Sequence, residues 1–260
     1  MKSVKVLYLL LALLVSPLAS ADAPNTVSWA TATKGGGFQL FGKNLAEVIN
    51  ATDSRIHVDA IATRGSRQNL DLLEAGEVDV GPVEGNAARI ALDGIGRPAA
   101  DLRVLSVMYP NPGMFVVRGD SAYQRIEDLK GQSIAFGTRA SGLRILANDV
   151  LDGLGLQPEK DFKQIILDKA ADGPQLVLDG EAEALWGAGI GWPGFVAVTG
   201  GAAGGRFIPP SPEQIAQIRE KHPHLKEMTV PAGTYKGQTE DIHSVGLWSL
   251  ILVRPDLDEE

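Results

Sequence analysis

The chain has 260 residues, no cysteine and four histidines, and 24 Lys and Arg against 32 Asp and Glu leave a formal charge of −8. Without cysteine there are no disulfides, no thiolate nucleophiles and no thiolate metal sites. The acidic balance, with no basic stripe, excludes nucleic acid as an expected partner. The length suffices for one large or two medium cores.

Residues 1–21 read as a signal peptide: Lys2 and Lys5, an apolar run over 6–15, Pro17, then Ala19-Ser20-Ala21. The run is too short to span a bilayer. Cleavage is expected after Ala21, with export to the periplasm, and loss of two lysines takes the charge to −8 − 2 = −10. Residues 27–32 are strand-like, Gly35-Gly36-Gly37 makes a turn, and Phe38, Phe41, Leu45 and Ile49 recur at helical spacing. A second unit repeats the plan, with a strand over 56–62, the turn Arg64-Gly65-Ser66, and a helix carrying Leu70 and Leu73 that stops at Gly76. Ser66 is the expected N-cap. Residues 78–83 form a short strand in which Gly81 and Pro82 predict an edge or an end.

Strands over 103–108 and 114–117 are separated by Pro110-Asn111-Pro112-Gly113, read as a turn where the chain first crosses to a second lobe. That lobe holds a strand over 133–136, the turn Gly137-Thr138-Arg139-Ala140-Ser141-Gly142, a helix to about 154, and strands over 164–167 and 182–186 around a helix at 174–178. Residues 199–205 are a glycine-rich loop, Ser211-Pro212-Glu213-Gln214 opens a helix, and His222-Pro223-His224 ends it. A strand over 245–253 returns the chain to the first lobe. The expected organisation is α/β: lobe I from 22–112 plus 228–260, lobe II from 113–227, with a ligand cleft at the carboxyl ends of the strands.

The two glycine turns each follow a strand and open a helix, a layout that holds carboxylates or phosphates on unpaired N–H groups. Tight-turn geometry alone would also account for Gly35 to Gly37. Arg139 and Arg67 are candidate anchors, since a charge-assisted bond to a carboxylate is worth roughly 1.5–3 kcal/mol against about 0.3–1 for a helix end. Glu84 could hold an ammonium group or be an ordinary exposed carboxylate, and Trp192 could stack on ligand or fill a core. Gly37-x4-Gly42-Lys43-Asn44 lacks the hydroxyl of a P-loop, and Gly189-Ile190-Gly191-Trp192-Pro193-Gly194 has Trp and Pro crowding a dinucleotide fingerprint. There is no Gly-x-Ser-x-Gly elbow and no partner pattern for His57, His222, His224 or His243, so catalysis and cofactors are not expected; His222 and His224 around Pro223 could bind metal weakly but more often mark a surface loop, so metal is not expected either.

Five segments, in order, resemble the TAXI family of solute-binding proteins of TRAP transporters: Gly35-Gly36-Gly37-Phe38; Arg64-Gly65-Ser66-Arg67-Gln68-Asn69-Leu70; Leu73-Glu74-Ala75-Gly76-Glu77-Val78-Asp79-Val80-Gly81; Asp128-Leu129-Lys130-Gly131 with Ile134-Ala135-Phe136-Gly137; and Glu240-Asp241 before Val245-Gly246. The resemblance implies a type II periplasmic-binding fold, two lobes closing on a small organic anion such as glutamate or a dicarboxylate, and delivery to a TRAP permease driven by an ion gradient. The expected ligand-binding set is Gly36, Gly37, Phe38, Ser66, Arg67, Glu84, Thr138, Arg139, Ser141, Gly142 and Trp192. The family's Thr-Tyr is replaced by Gly37-Phe38, its Gly-Ser-Gly-Thr by Ala140-Ser141-Gly142-Leu143, and its Val-Gln-Ser-Asp by Val83-Glu84-Gly85-Asn86, which predicts a specificity other than glutamate. Family members continue with helices that pack on the first lobe, so this chain resembles a truncated member whose first lobe is incompletely covered. The same fold serves ATP-driven transporters and sensory receptors, and an exported two-lobed α/β enzyme is a further alternative.

Overall fold

The computed structural model describes residues 24–257, so the expected signal peptide lies outside the described residues. In chain order the elements are β1 (Asn25–Ala30), α1 (Gly37–Thr52), β2 (Ile56–Ile61), α2 (Ser66–Glu74), β3 (Val80–Val83), α3 (Gly85–Leu92) and β4 (Arg103–Arg118). After a 3₁₀ turn at Ile126–Leu129 come β5 (Ser133–Thr138), α4 (Gly142–Gly153), α5 (Pro158–Asp161), β6 (Lys163–Leu167), α6 (Asp172–Leu178) and β7 (Ala184–Ala188). The chain continues through α7 (Pro193–Gly200), β8 (Gly205–Ile208), α8 (Pro212–Lys221), β9 (Lys226–Val230) and β10 (Ile242–Val253). None of the described helices is long and apolar enough to cross a membrane.

The strands run in the order β2-β1-β3-β10-β4-β7-β5-β6, with β8 beside β4 and β9 beside β10. Each half is a parallel βαβ array: β1 pairs with β2 and β3, and β5 with β6 and β7. The antiparallel strands β4 and β10 join the halves. The first half buries Ala30, Leu73, Val83, Ala88 and Leu252 on one face and Trp29, Ala46, Val58 and Ile251 on the other. In the second half Phe115, Phe136, Phe162 and Trp186 pack against α4 and α8 through Leu146, Val150, Ile215 and Ile218. The Phe115 and Trp186 rings meet edge-on at 4.9 Å. Side chains Val104, Leu105 and Val107, in the part of β4 that pairs only with β10, are exposed.

The Ser211 signature forms as expected: its hydroxyl accepts from Gln214 N at 3.3 Å and its own N–H donates to Gln214 Oε1 at 2.8 Å. Other expectations are corrected. Residues 110–113 are not a turn, because their neighbours in β10 supply a complete antiparallel register, Trp248 opposite Pro110 through Val245 opposite Gly113. β3 is not an edge, lying between β1 and β10, but Pro82 does fall at its end, one residue before Val83; it is tolerated because β1 bridges β3 only at Val80 and the Pro82 carbonyl takes its bond from Asn69 Nδ2 at 2.8 Å. Ser66 is the first helical residue of α2 and Gly65 its cap. Helix α3, whose buried residues are Gly85, Asn86, Ala87, Ala88 and Ala91, carries too few large apolar residues for a periodic pattern.

Gly246 of β10 stands opposite Pro112 of β4, and a Cβ there would overlap the Asn111 carbonyl. Gly246→Ala is therefore expected to cost about 1–3 kcal/mol. Urea denaturation reads this directly: the midpoint falls at constant m, and an unchanged midpoint would mean the strands have room to spare.

Candidate functional site

Four strands of the two halves end at the same place. The carboxyl ends of β1, β2, β3 and β5 lead into the first turns of α1, α2, α3 and α4, so Gly36 and Gly37, Ser66, Glu84, and Ser141 and Gly142 come together. They enclose a cavity of about 70 Å³. At the roughly 10–15 Å³ that one water requires, it holds about five to seven water-sized groups. Nine of the expected residues line it: Gly36, Gly37, Phe38, Ser66, Glu84, Thr138, Ser141, Gly142 and Trp192. Arg67 and Arg139 do not; both are exposed outside the lining. Their segments meet through backbone, Arg67 N donating to Ala140 O at 3.1 Å. Arg64 is the arginine at the cavity edge.

The halves are bonded to each other around this space. Thr138 Oγ1 donates to Arg64 O at 3.1 Å, Ala170 N to Thr33 Oγ1 at 3.0 Å, and Ala171 N to Lys34 O at 3.0 Å. Gly142 shows why a side chain is absent at the start of α4: a Cβ would lie 2.5 Å from Glu84 Cβ and 2.8 Å from Ser66 Oγ. The second turn brings its helix end against the first half so closely that only glycine fits.

Glu84 is the central side chain. It is 2% exposed and caps α3, its Oε2 accepting from Asn86 N at 3.0 Å and Ala87 N at 3.4 Å. Its backbone N–H donates to Ser66 Oγ at 3.0 Å, so the Ser66 hydroxyl joins α2 to Glu84 rather than capping its own helix. The other carboxyl oxygen, Oε1, is buried without a partner. Burial pushes the Glu84 carboxyl up to about 8; the Asn86 and Ala87 N–H groups oppose the rise and the Asp149 charge adds to it. Ser141 Oγ accepts from Leu143 N at 3.2 Å and caps α4.

Three lining residues come from the crossing strands β4 and β10, and one of them, Asn111, lies in the stretch that sequence reading took for a turn. Asn111, buried on β4, donates from Nδ2 to Ser249 Oγ of β10 at 2.7 Å. Tyr109 sits beside Phe38 with ring centroids 6.2 Å apart, and burial pushes its hydroxyl well above the usual range, keeping it a neutral donor. Trp192 fills the core role, packing edge-on against Phe195 at 5.0 Å, and it also lines the cavity. The alternation of strands with short turns marked the glycine and serine positions. Nothing local marks Tyr109, Asn111 or Ser249.

A mixed sheet in two βαβ halves, joined by two crossing strands over a small cavity, is the two-lobed fold of periplasmic solute-binding proteins. Residues 29–260 match the NMT1-like family, and the chain belongs to it. Among solved structures, the alkanesulfonate-binding protein SsuA from Xanthomonas axonopodis pv. citri bound to MOPS is similar at 17% identity and TM-score 0.51, over 90% of this chain and 66% of that one. An ancestral arginine-binding protein bound to arginine is similar at 15% identity and TM-score 0.53, over 90% and 87%. The CcmR regulatory domain of Synechocystis PCC6803 in complex with 2-PG is similar at 12% identity and TM-score 0.56, over 91% and 90%. This chain thus spans about two thirds of the length of the sulfonate-binding structure.

Because the folded carboxyl of Glu84 holds its proton above the ordinary value of 4.5, folding is favoured while the group is neutral. The contribution is full below about 4.5 and is lost as pH rises through about 8. Thermal unfolding of the ligand-free chain is expected to show Tm falling across this window. Glu84→Gln keeps the acceptor for the α3 cap and removes the ionisation, so its Tm should fall less; parallel curves would assign the pH dependence to other groups.

Proposed function

We propose that this protein is an extracytoplasmic solute-binding protein that captures a small amino acid in the cavity between its lobes and delivers it to a TRAP-type permease. The observation that carries the ligand class is the buried, unpartnered Oε1 of Glu84 in a cavity reached by the N-termini of α1, α2 and α4. Helix N-termini favour a carboxylate. The Glu84 carboxylate favours an ammonium, and such an ion pair returns the proton that burial holds on the acid. A group carrying both charges, an α-amino acid, satisfies both ends. A cavity of about 70 Å³ favours short side chains over glutamate.

Three further points support the reading. The leader expected over residues 1–21 would place the chain outside the cytoplasm. The resemblance of the glycine turns to TAXI proteins supports a TRAP permease as partner. The fold is also shared with the substrate binding protein of an amino acid ABC transporter, similar at 13% identity and TM-score 0.51 over 90% of this chain and 87% of that one. That neighbour favours an ATP-driven permease as the second reading. Uptake into vesicles carrying the cognate permease separates the two: dependence on an ion gradient supports TRAP, dependence on ATP the ABC type. Recovery of the ligand chemically unchanged fits a binding protein rather than an enzyme.

Ligand at a hundred times its Kd adds about 2.7 kcal/mol to stability, roughly 5–10 °C in Tm for a chain this size. Short amino acids are expected to give that shift, with dicarboxylates and neutral sugars giving less. Glu84→Gln should weaken amino acid binding at least tenfold, as loss of a charged hydrogen bond predicts, while Arg139→Ala should leave it nearly unchanged. A shift with dicarboxylates that Arg139→Ala abolishes would overturn the amino acid reading.

A further inference from the structure

The segment that closes α8 meets α4 in a cluster separate from the cavity. Asp149, in α4, presents its carboxylate to two imidazoles: His224 Nε2 lies 3.1 Å from Oδ2, and His222 Nδ1 lies 3.9 Å from Oδ1. One ligand atom from each of the three residues falls within 4.8 Å of the other two, and all three side chains are partly buried. The imidazole planes stand at 86° with centroids 5.7 Å apart, a spacing that the intervening Pro223 stiffens.

The outer nitrogen of His222 is also engaged. Its Nε2 lies 2.8 Å from Asp152 Oδ2, one turn further along α4. An ionised carboxylate only accepts, so this bond places the ring proton on Nε2. Nδ1 faces the Asp149 carboxylate at 3.9 Å, so a metal ion between them would be held by both groups. A carboxylate on the distal nitrogen of a ligating histidine is also the arrangement that orients metal-bound imidazole.

We infer that Asp149, His222 and His224 form a binding site for a divalent first-row metal ion of the zinc type, with water in the fourth position. Two imidazoles and a carboxylate suit such an ion, and three protein ligands plus water complete a tetrahedron. Bonds of about 2.0 Å need ligand atoms roughly 3.3 Å apart. Ligation requires side-chain rotations that draw the set together from its present spread of at most 4.8 Å. The charge of Arg89 acts on His224, and Lys221 holds Asp152 Oδ1 at 2.8 Å; the two carboxylates offset these cations. The ion would tie α4 to the α8–β9 connection, 75 residues away in sequence between Asp149 and His224. That separation is why sequence reading, which saw only His-Pro-His, did not expect a metal.

The test uses the full chain without a histidine tag, stripped with chelator. Titration with zinc ion by calorimetry is expected to show one saturable equivalent, and cobalt ion alone to give the intense visible bands of a tetrahedral complex. His222→Gln and His224→Gln should each weaken zinc binding at least tenfold, and Asp152→Asn about tenfold through loss of the orienting carboxylate. Failure to saturate, or binding that all three variants leave intact, would overturn the site. Should a variant fold poorly, the cobalt spectrum of the unsubstituted chain still decides, since a pale six-coordinate spectrum excludes the proposed ligand set.

Discussion

The antiparallel pairing of β4 with β10 is the constraint on which the rest of the molecule depends. These two strands are the route by which the sheet passes from one half to the other, so their register sets how the parallel arrays face one another. At their waist, Pro110 and Pro112 withhold N–H donors, and Gly246 lets β10 lie against the Asn111 backbone. Asn111 bonds across to Ser249, giving the crossing a buried polar tie as well as an apolar one. The cavity lies where this waist meets the carboxyl ends of the parallel strands, as expected for ligand sites in α/β sheets.

Within that frame two opposed electrostatic effects act on Glu84. The first-turn N–H groups of α3 hold its Oε2 and favour the anion. Burial favours the neutral acid and outweighs them. Ionising Glu84 in this fold is therefore costly, and its Oε1 stays buried without a hydrogen-bond partner. Ser66 and Gly142 serve the same point: the hydroxyl receives the Glu84 N–H, and the missing side chain lets α4 close over it.

Legibility divided along the range of the forces involved. The glycine and serine positions of the cavity were readable because a turn from strand to helix places its demands on neighbouring residues. The Ser211 capping box was readable for the same reason. Arg67 and Arg139 were the appealing anchors from charge alone, yet both are exposed and neither lines the cavity. Pro110-Asn111-Pro112-Gly113 has turn composition, but β10, more than 130 residues later, pairs with it in extended form. α3 was missed because Gly85, Asn86, Ala87 and Ala88 offer no large apolar period, although their small side chains let the helix pack between β10 and α4.

By itself the sequence determined the alternating α/β plan, the two glycine turns, the absence of thiol chemistry and the acidic charge, because each follows from residue type and local spacing. Tertiary structure alone decided which polar groups meet. The burial of Glu84, the strand character of the Pro-Gly waist and the meeting of Asp149 with His222 and His224 all rest on contacts between segments remote in the chain. Local spacing carries no information about such contacts, since the register of β4 on β10 and the packing of α4 on α8 are settled by burying the whole core at once.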